Sequence, residues 1–120
     1  KYGDKKKVSE LDIHKRLLEL GIPTNLKGYH YLRTAIRVIV NELDGKYPDK
    51  IVPFYNDIAK IHDTSGTRVE RAIRHAIETG YDNVGASVYY EVFGNSTSPD
   101  RGKPTNSQFI STVVKTINLE

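Results

Sequence analysis

The chain has 120 residues, a formal net charge of +3 and no cysteine, which excludes disulfides and thiolate metal centres. Hydrophobic residues at 38% and charged residues at 28% predict one folded domain with its own core. No apolar run approaches the roughly 20 residues that span a bilayer, and the N-terminal KYGDKKKVSE lacks the apolar segment of a signal peptide. Methionine is absent even at position 1, so an excised domain, or a chain whose first residues are disordered, is expected.

Residues 1–8 read as a flexible tail or linker, and 9–120 as the folded domain. Ser9 with Asp12 three positions later opens a helix in a weak capping-box arrangement. Ile13, Leu17 and Leu20 share one face of that helix, with Leu11 and Leu18 beside it. Gly21 ends it and Pro23 prevents its resumption. A second helix, about 26–43, repeats Tyr29, Leu32, Ile36, Ile39, Val40 and Leu43 at three and four, which predicts the central packing helix. Gly45, Pro48 and Pro53 punctuate a loop, and Pro53 suits the first turn of a third helix. That helix runs to about His62 with Phe54, Ile58 and Ile61 inward.

The stretch NDIAKIHDTSGTRVERAIRHAIE, from Asn56 to Glu78, predicts a helix, a tight turn and a second helix. Ala59 is small where the two helices must approach, and Val69 points back into the same contact. Asp63 falls where the chain turns through a left-handed conformation, which Asp and Asn tolerate better than most residues. Either Ser65 or Thr64 serves as the N-cap. On a wheel at about 100° per residue, Val69, Ala72, Ile73, Ala76 and Ile77 gather on one side. Thr67, Arg71, Arg74 and Glu78 form a stripe opposite, flanked by Arg68, Glu70 and His75.

The second helix of this pair is expected over about 65–80, closing at Gly80, and beyond it the segment 84–93 is read as a short fifth helix with Val88, Tyr89 and Val92 inward. SVYYEVF also has strand propensity, but a strand would have no partner elsewhere in the chain. Gly94 to Lys103 is a loop by composition. Thr105 and Gln108 form a T-x-x-Q capping box that starts a sixth helix with Phe109, Ile110, Val113, Val114 and Ile117 buried. The fold class expected is all-α, a six-helix bundle containing a helix-turn-helix.

Long donors spaced at three and four on one helix face can reach several base edges. Arg71 and Arg74 meet that requirement for guanine O6 and N7, and Glu70 can accept from cytosine N4. Thr67, Arg68 and His75 suit phosphate oxygens. The plain alternative is a solvated face held by pairs such as Glu70–Arg74 and Arg71–Glu78. The start of the sixth helix, beside Lys103, offers N–H groups that attract anions; the plain alternative there is a capped helix. His14, His30, His62 and His75 have no second histidine at i+3 or i+4, and His75 with Glu78 supplies too few ligands. No metal, cofactor or catalytic centre is therefore expected, and the chain is not read as an enzyme.

Several of these stretches, taken together, resemble the C-terminal effector domain of the sporulation stage-zero response regulator A family. They are LGIPTNLKGYHYLRTAI (20–36), YNDIAK (55–60), RVERAIRHAIE (68–78), Phe93–Gly94 and KPTNSQFI (103–110). The resemblance covers about residues 10–120. It implies a six-helix bundle with an embedded helix-turn-helix, in a cytoplasmic bacterial transcription regulator of a two-component system. It implies binding to double-stranded DNA boxes with a guanine-containing core, as tandem domains on adjacent sites. Glu70, Arg71 and Arg74 then match the base-reading positions, and Thr67, Arg68 and His75 the backbone contacts. The start of the last helix, with Lys103, Thr105 and Asn106, is implied in DNA-backbone and domain–domain contact. The segment 84–97 corresponds to the part that touches the RNA polymerase sigma subunit. There the chain departs from the family: Tyr81-Asp82-Asn83-Val84 replaces an aromatic-Ser-Arg-Gly turn, and Val88, Tyr89 and Tyr90 replace mostly small polar residues. The other reading is an interaction module that kept the fold and lost promoter binding, motivated by Tyr89 and Tyr90 as exposed rings.

Overall fold

The computed structural model describes residues 9–94 and 102–118; the tail expected at 1–8 and most of the loop expected between Gly94 and Lys103 lie outside them. The described residues form six helices and no strand: α1 Glu10–Glu19, α2 Lys27–Glu42, α3 Ile51–Ile61, α4 Gly66–Val84, α5 Ala86–Phe93 and α6 Asn106–Asn118. The all-α expectation holds, and 86–93 is helical where strand propensity competed. The fifth helix expected from 84 starts at Ala86, because α4 runs to Val84 and Gly85 separates the two helices. No helix among these residues is long and apolar enough to cross a membrane.

Ser9 caps α1, its Oγ accepting from the Asp12 amide at 3.2 Å. Ile13 and Leu17 are buried, as are Leu20 and Ile22 just beyond the helix. Gly21, at φ 78°, makes the turn that ends it. Leu11 and Leu18, seven residues apart on one side, are instead 58% and 47% exposed. Helix α2 is the centre of the bundle and packs against α1, α3, α4 and α6. Tyr29, Leu32, Ile36, Ile39 and Val40 are buried as predicted, Gly28, Tyr31, Thr34 and Ala35 are buried with them, and Leu43 lies past the last turn and is exposed.

Two expectations about inward faces are corrected. On α3 the buried side is Phe54, Tyr55, Ile58 and Ala59, and Ile61 is 57% exposed. At about 100° per residue Ile61 falls roughly a quarter turn from the centre of that group, so α4 covers Tyr55 and Ala59 rather than Ile61. On α5, Tyr89 and Phe93 are buried, while Val88 and Val92 are half-buried. Tyr89 stacks on Phe93 with centroids 5.4 Å apart, and both rings meet Phe109. The Tyr89 hydroxyl donates to the Leu20 carbonyl at 2.6 Å. Tyr89 is thus fully buried, and of the two rings expected at the surface only Tyr90 is there.

The polar groups in the interior are matched. His14 Nδ1 bonds the Tyr29 hydroxyl, and Thr34 Oγ1 lies 2.7 Å from His62 Nε2. Burial lowers the basicity of the His62 ring. No buried side-chain nitrogen or oxygen among the described residues lacks a partner.

Glycines set how closely the central helices pack. Gly28 on α2 faces the backbone of α4, and a Cβ there would overlap the Ala72 carbonyl and sit 2.7 Å from the Ala76 Cβ. Gly80 does not end α4, as a glycine at that place suggests; the helix runs on to Val84. A Cβ at Gly80 would lie 2.6 Å from both Ile22 Cδ1 and the Leu20 carbonyl oxygen. Its lack of a side chain lets α4 pass over the end of α1, and Gly85 at φ 90° makes the break instead.

Candidate nucleic-acid interface

Helix α4 is positioned by the turn that precedes it. Asp63 takes the left-handed conformation at φ 55°, as its place in the sequence predicts. The Thr64 amide then donates to the Ala59 carbonyl at 2.9 Å. Of the two candidate caps, Ser65 is the one used: its Oγ accepts from the Arg68 amide at 3.2 Å. Gly66 follows because a Cβ at that point would run into the Asn56 side chain on α3. The pair α3–α4 is therefore two helices locked by a short turn, with Ala59 and Val69 both buried between them. Ser65→Ala is expected to cost about 1 kcal/mol. A thermal melt should register that as a drop of roughly 5 °C for a domain of this size.

One side of α4 is core: Val69, Ile73, Ala76, Ile77 and Gly80 are buried. On the other side Thr67, Arg68, Arg71, Arg74, His75 and Glu78 are at least partly exposed, and Glu70 is half-exposed. The structure divides this outer face in two. Thr67, Glu70, Arg74 and Glu78 border a groove of about 690 Å³, whose other walls are the start of α3 and the segment Lys103 to Ser107. Arg71 stands on the crest of the helix and Arg68 and His75 lie beyond it; none of the three lines the groove. Glu70 and Arg74 form an ion pair along the helix, the contact anticipated for a plain solvated face. With its partners 32% and 56% exposed, such a pair contributes only about 0.3–0.5 kcal/mol to stability. Its main effect is to hold the Arg74 guanidinium on the groove side.

The start of α6 is built as its sequence indicates. The Thr105 amide donates to Gln108 Oε1 at 2.9 Å, and the Gln108 amide donates to Thr105 Oγ1 at 3.1 Å. Lys103 pairs with Asp82 at 3.1 Å, with its Nζ 5.9 Å from the Tyr81 ring centre. Asn106, expected at the DNA backbone, is engaged within the protein. Its side-chain amide donates to the Glu70 carbonyl at 3.1 Å and to the Tyr55 hydroxyl at 3.3 Å. Both amide hydrogens are thereby engaged within the protein. Burial raises the Tyr55 pKa, which keeps the phenol neutral as acceptor.

Three residues in or beside the groove carry no signal of their own in the sequence. Tyr47 reaches Ser107, hydroxyl to hydroxyl at 2.8 Å, and the Asn56 side chain lies against Gly66. Both contacts join distant segments, and only the small residue after Ser65 hints at either. The four histidines do not converge: no group of three or more His, Asp or Glu side chains able to hold a metal occurs among the described residues.

An all-α bundle in which a capped helix follows a tight turn and turns a basic face outward is the architecture of a helix-turn-helix domain. Residues 13–117 match the family model described as sporulation initiation factor Spo0A, C terminal. The match spans nearly the whole chain, and the chain belongs to this family. The family is the DNA-binding effector domain of a sporulation transcription regulator.

Proposed function

We propose that this domain binds duplex DNA sequence-specifically by laying α4 in the major groove. The observation that carries the reading is the outer face of α4, where three arginines stand exposed on a helix whose opposite side is sealed in the core. Arg71 and Arg74 read guanine O6 and N7, and Glu70 accepts from cytosine N4. Thr67, Arg68 and His75 contact phosphates, with Lys103 and Thr105 at the start of α6 meeting the backbone across the groove. Residues 9–120 act as one unit that pairs with a second copy on tandem sites. Contact with the sigma subunit is placed on 84–97, of which 95–97 lie outside the described residues. Burial of Tyr89 supports this reading over the interaction module, whose motive was an exposed pair of tyrosines.

The test is an equilibrium titration of labelled duplexes, one with a guanine-containing family-type box and one of random sequence, at several salt concentrations. The box should bind more tightly by about a thousandfold or more, on the order seen for specific sites. Arg68→Ala should weaken both duplexes alike and lower the salt slope by about one. Equal affinity for box and random duplex would sink the sequence-specific reading.

A further inference from the structure

We infer that Asn106 is a positioning residue for sequence discrimination, acting on the turn of α4 that carries Glu70 and Arg74 without touching DNA. The inference rests on the base-reading roles proposed above. In an α-helix the carbonyl of Glu70 is the acceptor for the Arg74 amide. Asn106 adds a second donor to that same oxygen from a helix outside the α3–α4 pair. The turn it grips is therefore the one whose side chains form the Glu70–Arg74 ion pair.

The grip is itself anchored. Asn106 is the first residue of α6, half-buried, in a start held rigid by the Thr105–Gln108 box. Its other hydrogen goes to Tyr55 on α3, and the neighbouring Ser107 is bonded to Tyr47. One primary amide thus joins α3, α4 and α6 on the floor between the groove walls. The Lys103–Asp82 pair makes a separate tie between the approach to α6 and the far part of α4. Base readout tolerates little misplacement, because bidentate donors must meet two acceptors at once. Releasing the Glu70 carbonyl frees the turn from Glu70 to Arg74 to shift, while Arg68, held at the Ser65 cap, keeps its surroundings.

The test compares Asn106→Ala, Asn106→Ser, Tyr55→Phe and Arg74→Ala for binding to box and random duplexes, with thermal melts to fix the folded fraction. Serine at 106 keeps a polar helix start but cannot span to the Glu70 carbonyl, so it serves if the alanine variant does not fold. Per folded molecule, both Asn106 variants should lower the box-to-random affinity ratio about tenfold, the scale of one misplaced base contact. Affinity for random duplex should stay unchanged. Tyr55→Phe, which removes one anchor of the amide but leaves its bond to the Glu70 carbonyl, should lower the ratio less than the Asn106 variants do. If Asn106 met phosphate directly, both duplexes would weaken together and the ratio would hold, which overturns the inference. A lower melting point with an unchanged ratio also overturns it, as does an equal fall in ratio for Tyr55→Phe. Should Arg74→Ala leave the ratio unchanged, the base-reading assignment fails and the inference falls with it. A fall for Arg74→Ala without one for the Asn106 variants rejects the positioning role alone.

Discussion

Gly28→Ala is expected to lower the melting temperature by roughly 10 °C, the equivalent of about 2 kcal/mol for a domain of this size. In an exposed helix the same change would stabilise by about 0.5–1 kcal/mol, because alanine restricts the unfolded chain more than glycine does. Here the added methyl meets the Ala72 carbonyl and the Ala76 Cβ. The obstacle is largely main chain of another helix, which cannot rotate out of the way as a long side chain can. Helices α2 and α4 must move apart, and the interface between them is the most extensive in the bundle. DNA binding should fall too, since α4 is the helix displaced. A melting temperature at or above that of the parent protein would show that the two helices are less closely apposed than described.

Arg71→Ala should weaken binding to a family-type box by about 1–3 kcal/mol and relax the preference at one base pair. Arg71 is exposed on the crest of α4, near the middle of the outer face, where the helix would lie deepest in a major groove. Its fork can meet O6 and N7 of one guanine together, which a phosphate contact would not require. Competition with duplexes altered one base pair at a time separates the outcomes. Loss of discrimination at one position supports the assignment. Uniform loss across all sequences would make Arg71 a backbone contact like Arg68.

Features set by neighbours along the chain are legible in the sequence. The Thr105–Gln108 box, the Ser9 cap and the left-handed Asp63 each follow from residues within one turn, and the structure places them as expected. The core side of α6 is also legible, because five apolar residues at helical spacing leave one way to face inward. Sequence reasoning fails where a distant partner decides. Ile61 fits an apolar repeat with Phe54 and Ile58, but α4 approaches from the side of Tyr55 and Ala59. Gly80 reads locally as a helix end, yet its reason is the Leu20 carbonyl and Ile22, which lie far away along the chain. Tyr89 reads both as an inward position of α5 and, beside Tyr90, as a surface ring, and the stack with Phe93 and Phe109 decides for the first.

The candidate site follows the same division. The arginine face lies on one helix and can be read from periodicity. The groove beside it is made by three segments that the sequence holds far apart, so neither its walls nor the double engagement of Asn106 can be inferred. The ion pair of Glu70 and Arg74 is, by sequence, the mark of a face without function; the structure shows the pair on the edge of the groove, where both side chains remain accessible.

That pair has a bearing on how the domain searches a genome. The outer face of α4 holds three arginines against Glu70 and Glu78, so its attraction for an arbitrary stretch of polyanion is weak and short-ranged. On the proposed reading, visits to wrong sites are brief, and residence time is set by matching bases rather than by bulk charge.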